Sequence, residues 1–176
     1  MALLGSILKR TIELRSAVPR LHKNGFRRQV STLRNLLARA EYTAFGEQYN
    51  FSKILNDKDI VKVFQRAEPA HDYNKIFRRW WYRSLNGEPF ICWPGKVKYF
   101  ALSSGTSEAS SKQIPVTKDM IRAIRRASMK QILAQSHYNL PKEHFERGIL
   151  MLGGSTHLNF NGTYFEGDLS GITASN

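Results

Sequence analysis

Acidic residues are scarce in this chain. Fourteen Asp and Glu stand against 27 Lys and Arg, a formal net charge of +13, which points the surface toward anionic partners. Cysteine is scarcer still. A single one, Cys92, excludes an intrachain disulfide. It lies within the apolar run Phe90-Ile91-Cys92-Trp93, so it reads as a buried structural thiol rather than a nucleophile. The five histidines, His22, His71, His137, His144 and His157, have no metal-ligand spacing, and no metal-ligating residue is assigned. No apolar run is long enough to cross a bilayer and no secretory segment is present, so a cytoplasmic location is expected. Two nucleotide signatures are absent as well. After Gly105 there is no second glycine ahead of a Lys-Ser or Lys-Thr pair, and no Gly-x-Gly-x-x-Gly occurs. Repeats and low-complexity tracts are also lacking.

What the chain does have is one hydroxyl-rich loop. An apolar, strand-like run over residues 97–102 empties into Ser103-Ser104-Gly105-Thr106-Ser107-Glu108-Ala109-Ser110-Ser111-Lys112. Ile114-Pro115 follows, and Thr117 opens a helix. A glycine lets backbone turn tightly and approach an anion, because it carries no Cβ. Hydroxyls and loop N–H groups donate to phosphate oxygens, and a lysine adds a point charge. The loop is therefore a candidate polyphosphate cradle. On composition alone, a serine-rich surface loop is an equal reading.

Apolar residues make up 41% of the chain, enough for a core. Helical spacing predicts helices over 2–17, stopped near Pro19, and over 25–44, ending at Gly46. Residues 52–55 read as a connector and 57–64 as a helix with Asn56 as its N-cap. A helix over 73–85 ends at Asn86-Gly87. On it Ile76, Trp80 and Ser84 share one face, and Arg78 and Arg79 take the other. The helix over 118–135 is capped by Thr117, with Ile121, Ile124 and Ile132 inward and Arg122, Arg125, Arg126 and Lys130 outward. Residues 148–152 read as a short buried strand turned by Gly153-Gly154, and Tyr164-Phe165 as another. The fold class is α/β in the mixed α+β sense, with helices first and then strands mixed with helices.

Nine of the basic residues lie in the first forty positions, against Glu13 alone up to that point. Three readings compete. A basic helix can touch nucleic acid or an anionic membrane surface. An Arg-rich, acid-poor start can be a mitochondrial transit peptide. A solvated face can simply flank the apolar stripes Leu4, Leu8, Ile12 and Leu33, Leu36, Leu37, Ala40. The stripes favour the last. Basic and aromatic residues also interleave in Arg78-Arg79-Trp80-Trp81-Tyr82-Arg83, as on single-strand nucleic-acid surfaces. On a helix they separate into two sides, which argues against a nucleic-acid partner.

The loop resembles the phosphate-binding loop of acyl-adenylating enzymes, Ser-Ser-Gly-Thr-Thr/Ser followed after a few residues by Lys. The longer spacing to Lys112, with Ile-Pro after it, is similar to one branch, the auxin-responsive-promoter family of acyl-acid amido synthetases. Other segments resemble that branch in the same order. They are Arg39-Ala40-Glu41-Tyr42-Thr43-Ala44-Phe45-Gly46, Glu68-Pro69-Ala70-His71-Asp72-Tyr73, Asn86-Gly87-Glu88, Trp93-Pro94-Gly95-Lys96, Gly153-Gly154-Ser155 and Gly167-Asp168-Leu169-Ser170. Glu108-Ala109 stands where plant members carry Ala-Gly, and is closer to bacterial members.

The resemblance implies the large N-terminal domain of an adenylating enzyme, with a helical start over about 1–90 and a phosphate-loop strand, loop and helix over about 97–136. It implies a two-step ligation. A substrate carboxylate attacks the α-phosphate of ATP, giving acyl-adenylate and pyrophosphate. An amine, such as that of an amino acid, then attacks the acyl carbon and releases AMP. Ser103, Ser104, Gly105, Thr106, Ser107 and Lys112 would hold the β- and γ-phosphates, with Mg2+ bridging them. The family's Tyr-Gly-x-Ser/Thr-Glu motif, its ribose-binding Asp and its mobile C-terminal domain have no counterpart in these residues. The chain is accordingly expected to be the N-terminal portion of such an enzyme, inactive by itself and completed by the C-terminal part.

Overall fold

The computed structural model of the chain describes residues 2–17, 24–103, 112–138, 140–147 and 153–176. In chain order the helices are α1 (Ala2–Ala17), α2 (Gly25–Ala40), α3 (Ala44–Gln48), α4 (Phe51–Leu55), α5 (Ile60–Ala67), α6 (Tyr73–Ile76), α7 (Tyr82–Leu85), α8 (Lys118–Ala134) and α9 (Leu169–Ala174). The strands are β1 (Tyr99–Leu102), β2 (Gln113–Val116), β3 (Asn159–Phe160) and β4 (Phe165–Gly167). The mixed α+β class expected from the sequence is what forms. The chain divides into two compact units, residues 1–22 with 118–153, and residues 23–117 with 154–176.

The second unit holds the larger core. Leu37, Ala40, Tyr49, Phe51, Ile54, Ile60, Trp80 and Ile91 are buried together. Phe45 lies against Tyr49, Phe51 and Trp80 at ring-centroid distances of 4.7, 5.9 and 5.2 Å. Such offset and edge-on pairs add to the apolar area they bury. The Trp80 indole N–H is buried with no hydrogen-bond partner among the described residues. Trp80 sits in a π-helical turn, Phe77–Trp81, that joins α6 to α7. Trp80 and Ser84 are buried while Arg78 and Arg79 are exposed, the division expected from the sequence.

Gly46 does not end a helix. The second helix stops at Ala40, and a new one starts after Thr43. Its first N–H groups are all accounted for, as a helix start requires. Ala44 N donates to Phe90 O at 2.8 Å and Phe45 N to Ile91 O at 2.9 Å. Gly46 N donates to the Thr43 hydroxyl at 3.1 Å. Residues 52–55, read as a connector, belong to α4 (Phe51–Leu55), with Phe51 and Ile54 buried. The next helix begins at Ile60 rather than 57. Asp59, not Asn56, caps it by accepting from Lys62 N at 3.2 Å, while the Asp57 carboxylate turns the preceding chain by accepting from Asp59 N at 2.9 Å.

The four strands form one sheet in the order β2-β1-β4-β3. β1 is antiparallel to β2 and parallel to β4, and β3 is antiparallel to β4. Phe100 is completely buried on β1, Val116 on β2 is 1% exposed, and Ile172 on α9 is completely buried. Alternation places Phe100, Leu102, Gln113, Pro115 and Glu166 on one face of the sheet. The other face carries Tyr99, Ala101, Ile114, Val116 and Phe165.

In the first unit Ile12 on α1 and Ile121 on α8 are buried. Leu8 is exposed, as are Leu36 on α2 and Ile132 on α8, so three positions assigned inward by periodicity face solvent. Arg122, Arg125, Arg126 and Lys130 are exposed as expected. No described helix is long and apolar enough to cross a membrane. The expected strand over 148–152 lies outside the described residues.

Cys92 is half-buried. Burial pushes its thiol up from an ordinary 9.0 to about 12, against a smaller opposing pull from Arg83. At pH 8 the thiolate is then about 1000-fold rarer than for a thiol at 9.0, and the thiolate is the nucleophile. Alkylation of the folded protein should be correspondingly slow and return to the ordinary rate in denaturant. Rapid labelling at pH 8 in the folded state would contradict this. Because the folded value is raised, the contribution to stability is full below pH 9.0 and declines as pH rises toward about 12.

Candidate polyphosphate site

β1 and β2 are two arms of a hairpin, and the hydroxyl-rich loop joins them. The arms pair from Tyr99 opposite Val116 to Leu102 opposite Gln113. One further bond closes the mouth of the loop, Ser103 N donating to Lys112 O at 2.9 Å. The first and last residues assigned to phosphate are thereby fixed across from each other. Ser104, Gly105, Thr106 and Ser107 lie outside the described residues. Ser103 is half-buried and Lys112 exposed.

The mouth is held from beneath by a polar network. Gln113 N donates to the Tyr73 hydroxyl at 2.9 Å, and that hydroxyl reaches back to Gln113 O at 3.4 Å. The Gln113 side-chain amide donates to the Tyr164 hydroxyl at 2.9 Å and to Glu166 Oε2 at 3.0 Å. Glu166 Oε1 accepts from Asn159 Nδ2 at 3.0 Å. The Glu166 carboxylate is thus engaged on both oxygens. Phe100, on the same face of the sheet as Gln113 and Glu166, meets the Tyr164 ring edge-on at 4.7 Å and ties the network to the core. A satisfied, partly buried network of this kind fixes one arrangement of the chain.

Lys112 Nζ lies 5.2 Å from the centroid of the Tyr73 ring. It forms no ion pair among the described residues, where the recorded pairs are helix-surface pairs, Arg83–Glu88 and His71–Glu68. Among the described residues no carboxylate neutralises its charge. Among the described residues no group of three His, Cys, Asp or Glu side chains gathers as a metal cage. A surface groove of about 440 Å³ lies elsewhere in the same unit, lined by Tyr49, Asn50, Lys53, Asp57 and Arg66 among others. It shares no residue with the hairpin mouth.

Gln113, Tyr164, Glu166 and Asn159 are not candidates in the sequence reading. Tyr73 lies in a segment quoted above only for its order along the chain. The only sequence signal toward them is the polar Gln113 opening an otherwise apolar strand.

The family model for the GH3 family N-terminal domain matches residues 16–164. The chain belongs to the GH3 family. This is the family of auxin-responsive acyl-acid amido synthetases, and the matched residues span every segment of the hairpin and its network except the last strand of the sheet, β4 (Phe165–Gly167). No curated protein matches the chain, and no solved structure does. The GH3 match agrees with the fold class, and GH3 enzymes are adenylating, which implies ATP and Mg2+ for the complete enzyme.

Proposed function

We propose that this chain is the N-terminal part of the large adenylation domain of a cytoplasmic, ATP-dependent acyl-acid amido synthetase. Its loop, Ser103, Ser104, Gly105, Thr106 and Ser107 with Lys112, holds the β- and γ-phosphates of ATP. The observation that carries this reading is the closed hairpin mouth, with Ser103 and Lys112 joined at 2.9 Å and an exposed lysine that no carboxylate among the described residues neutralises. Backbone N–H groups and hydroxyls are the donors that phosphate oxygens take up, and the lysine supplies charge.

Held this way, the α-phosphate is presented to the incoming carboxylate and the departing pyrophosphate is met by positive charge. A bridging magnesium ion would take most of its ligands from phosphate and water, so it asks little of these residues. The nitrogen of a small amine or amino acid then attacks the acyl carbon of the acyl-adenylate, forming the amide as the acyl–phosphate bond breaks and AMP leaves. The carboxylate and amine substrates are held by the remainder of the enzyme. The 176-residue chain by itself is expected to bind polyphosphate without catalysing acyl-dependent ATP–pyrophosphate exchange.

The test is titration of the chain with ATP and with inorganic tripolyphosphate at fixed ionic strength. Lys112→Gln should weaken both by about ten-fold, close to 1.4 kcal/mol. Equal affinity would remove Lys112 from the site. Failure of the unmodified chain to bind either ligand would remove the loop.

A further inference from the structure

The geometry points to Tyr73 as the positioning residue for Lys112, an inference that rests on the phosphate reading of the loop. Tyr73 opens α6, forty residues before Gln113. Phe77 stacks on its ring at 5.4 Å and Trp81 meets it edge-on at 5.9 Å. Its hydroxyl accepts from the backbone N–H of Gln113 at 2.9 Å. The ring is thereby fixed to the first residue of β2, directly beside Lys112, whose ammonium stands 5.2 Å from the ring centroid.

The chemistry of this arrangement differs from that of an ion pair. An aromatic face attracts an ammonium through its quadrupole and limits the freedom of a long side chain. It does not cancel the charge. A carboxylate partner would have to be desolvated and displaced before the lysine could meet a phosphate. Glu166, the carboxylate in the network, is committed to Gln113 and Asn159 at 3.0 Å each. With no carboxylate among the described residues paired to it, Lys112 is parked against the ring at the mouth and is transferred to the polyphosphate when that arrives.

The hydroxyl and the ring do separable work, so two substitutions divide them. Tyr73→Phe keeps the ring and removes the bond to Gln113. Tyr73→Leu removes both. In tripolyphosphate titrations, Tyr73→Leu should weaken binding by about five-fold and Tyr73→Phe by about two-fold or less. The double variant Tyr73→Leu/Lys112→Gln should bind like Lys112→Gln alone, because the ring acts through the lysine. In NMR spectra the Lys112 ε-methylene protons should be shifted upfield by the ring in the unmodified chain and in Tyr73→Phe. They should lose that shift in Tyr73→Leu and on saturation with tripolyphosphate.

A Tyr73→Leu loss that persists undiminished in the Lys112→Gln background would overturn the proposal and leave the phosphate reading intact. So would unshifted ε-methylene protons in the unmodified chain. If the unmodified chain binds no tripolyphosphate, the phosphate reading fails and the positioning role falls with it. Tyr73→Phe guards against a folding artefact, since it keeps the contacts to Phe77 and Trp81.

Discussion

Gly46→Ala should cost about 3 kcal/mol of folding free energy, although alanine is the better helix former by about 1 kcal/mol. The reason is the close passage of two backbones. A Cβ at Gly46 would overlap the Ala40 carbonyl oxygen and lie 2.7 Å from Glu41 O and 3.0 Å from Ala40 C. These are backbone atoms, so no side chain can swing aside. The Ala40 carbonyl is also committed, accepting from Thr43 N at 3.1 Å and from the Thr43 hydroxyl at 2.7 Å. That hydroxyl in turn accepts from Gly46 N at 3.1 Å. Relieving the overlap breaks a buried loop of three bonds, each worth about 1 kcal/mol net and more when a group is left unpaired. The clash and the broken bonds together outweigh the propensity gain. Gly25→Ala is the control, since nothing lies within 4 Å of a Cβ there. Urea unfolding should place Gly46→Ala well below the unmodified chain, with Gly25→Ala at or slightly above it. Equal midpoints for the two variants would show that the α2–α3 junction adapts.

The same junction marks where sequence reasoning reaches and where it stops. A glycine after an aromatic at the end of an apolar-periodic run has the local signature of a helix terminator. The true demand on Gly46 is a contact six residues back, made only once the chain has turned at Thr43. The start of α5 failed for a different reason. Asn56, Asp57 and Asp59 all have capping chemistry, and local pattern does not choose among them. Burial of Ile60 sets the register, and Asp59 follows from it. β2 was missed because Pro115 reads as a breaker. Proline is tolerated on an edge strand, and β2 is an edge of the sheet. The β1 strand and the helix that begins at Lys118 were legible because each is a local pattern. The Gln113 network was not, because its partners lie 40, 51 and 53 residues away. No periodicity connects such positions. Exposed Leu8, Leu36 and Ile132 show the complementary limit, that a helical stripe names a face without naming how far along it a partner extends.

Phe100→Ala should destabilise the sheet-bearing unit by about 3–5 kcal/mol, the range for emptying a fully enclosed aromatic site. Phe100 is completely buried on β1 and supports the Tyr164 ring at 4.7 Å. Tyr164 holds the Gln113 side chain, and Gln113 begins β2 directly after Lys112. Loss of the ring therefore travels to the mouth of the loop as well as to the core. Two variants separate these consequences. Tyr164→Phe keeps the edge-on ring pair and removes only the hydroxyl that accepts from Gln113 at 2.9 Å, at a cost of about 1 kcal/mol. Hydrogen exchange at the Ser103 and Gln113 amides is the readout, because the first donates to Lys112 O and the second to the Tyr73 hydroxyl. In Phe100→Ala these amides should exchange together with those of β1, by an opening that involves the whole unit. In Tyr164→Phe, exchange should accelerate at Gln113 and Ser103 while Ala101 stays protected. If Tyr164→Phe leaves both amides as slow as in the unmodified chain, the network does not hold the mouth. Backbone pairing between β1 and β2 would then be sufficient to present Ser103 and Lys112.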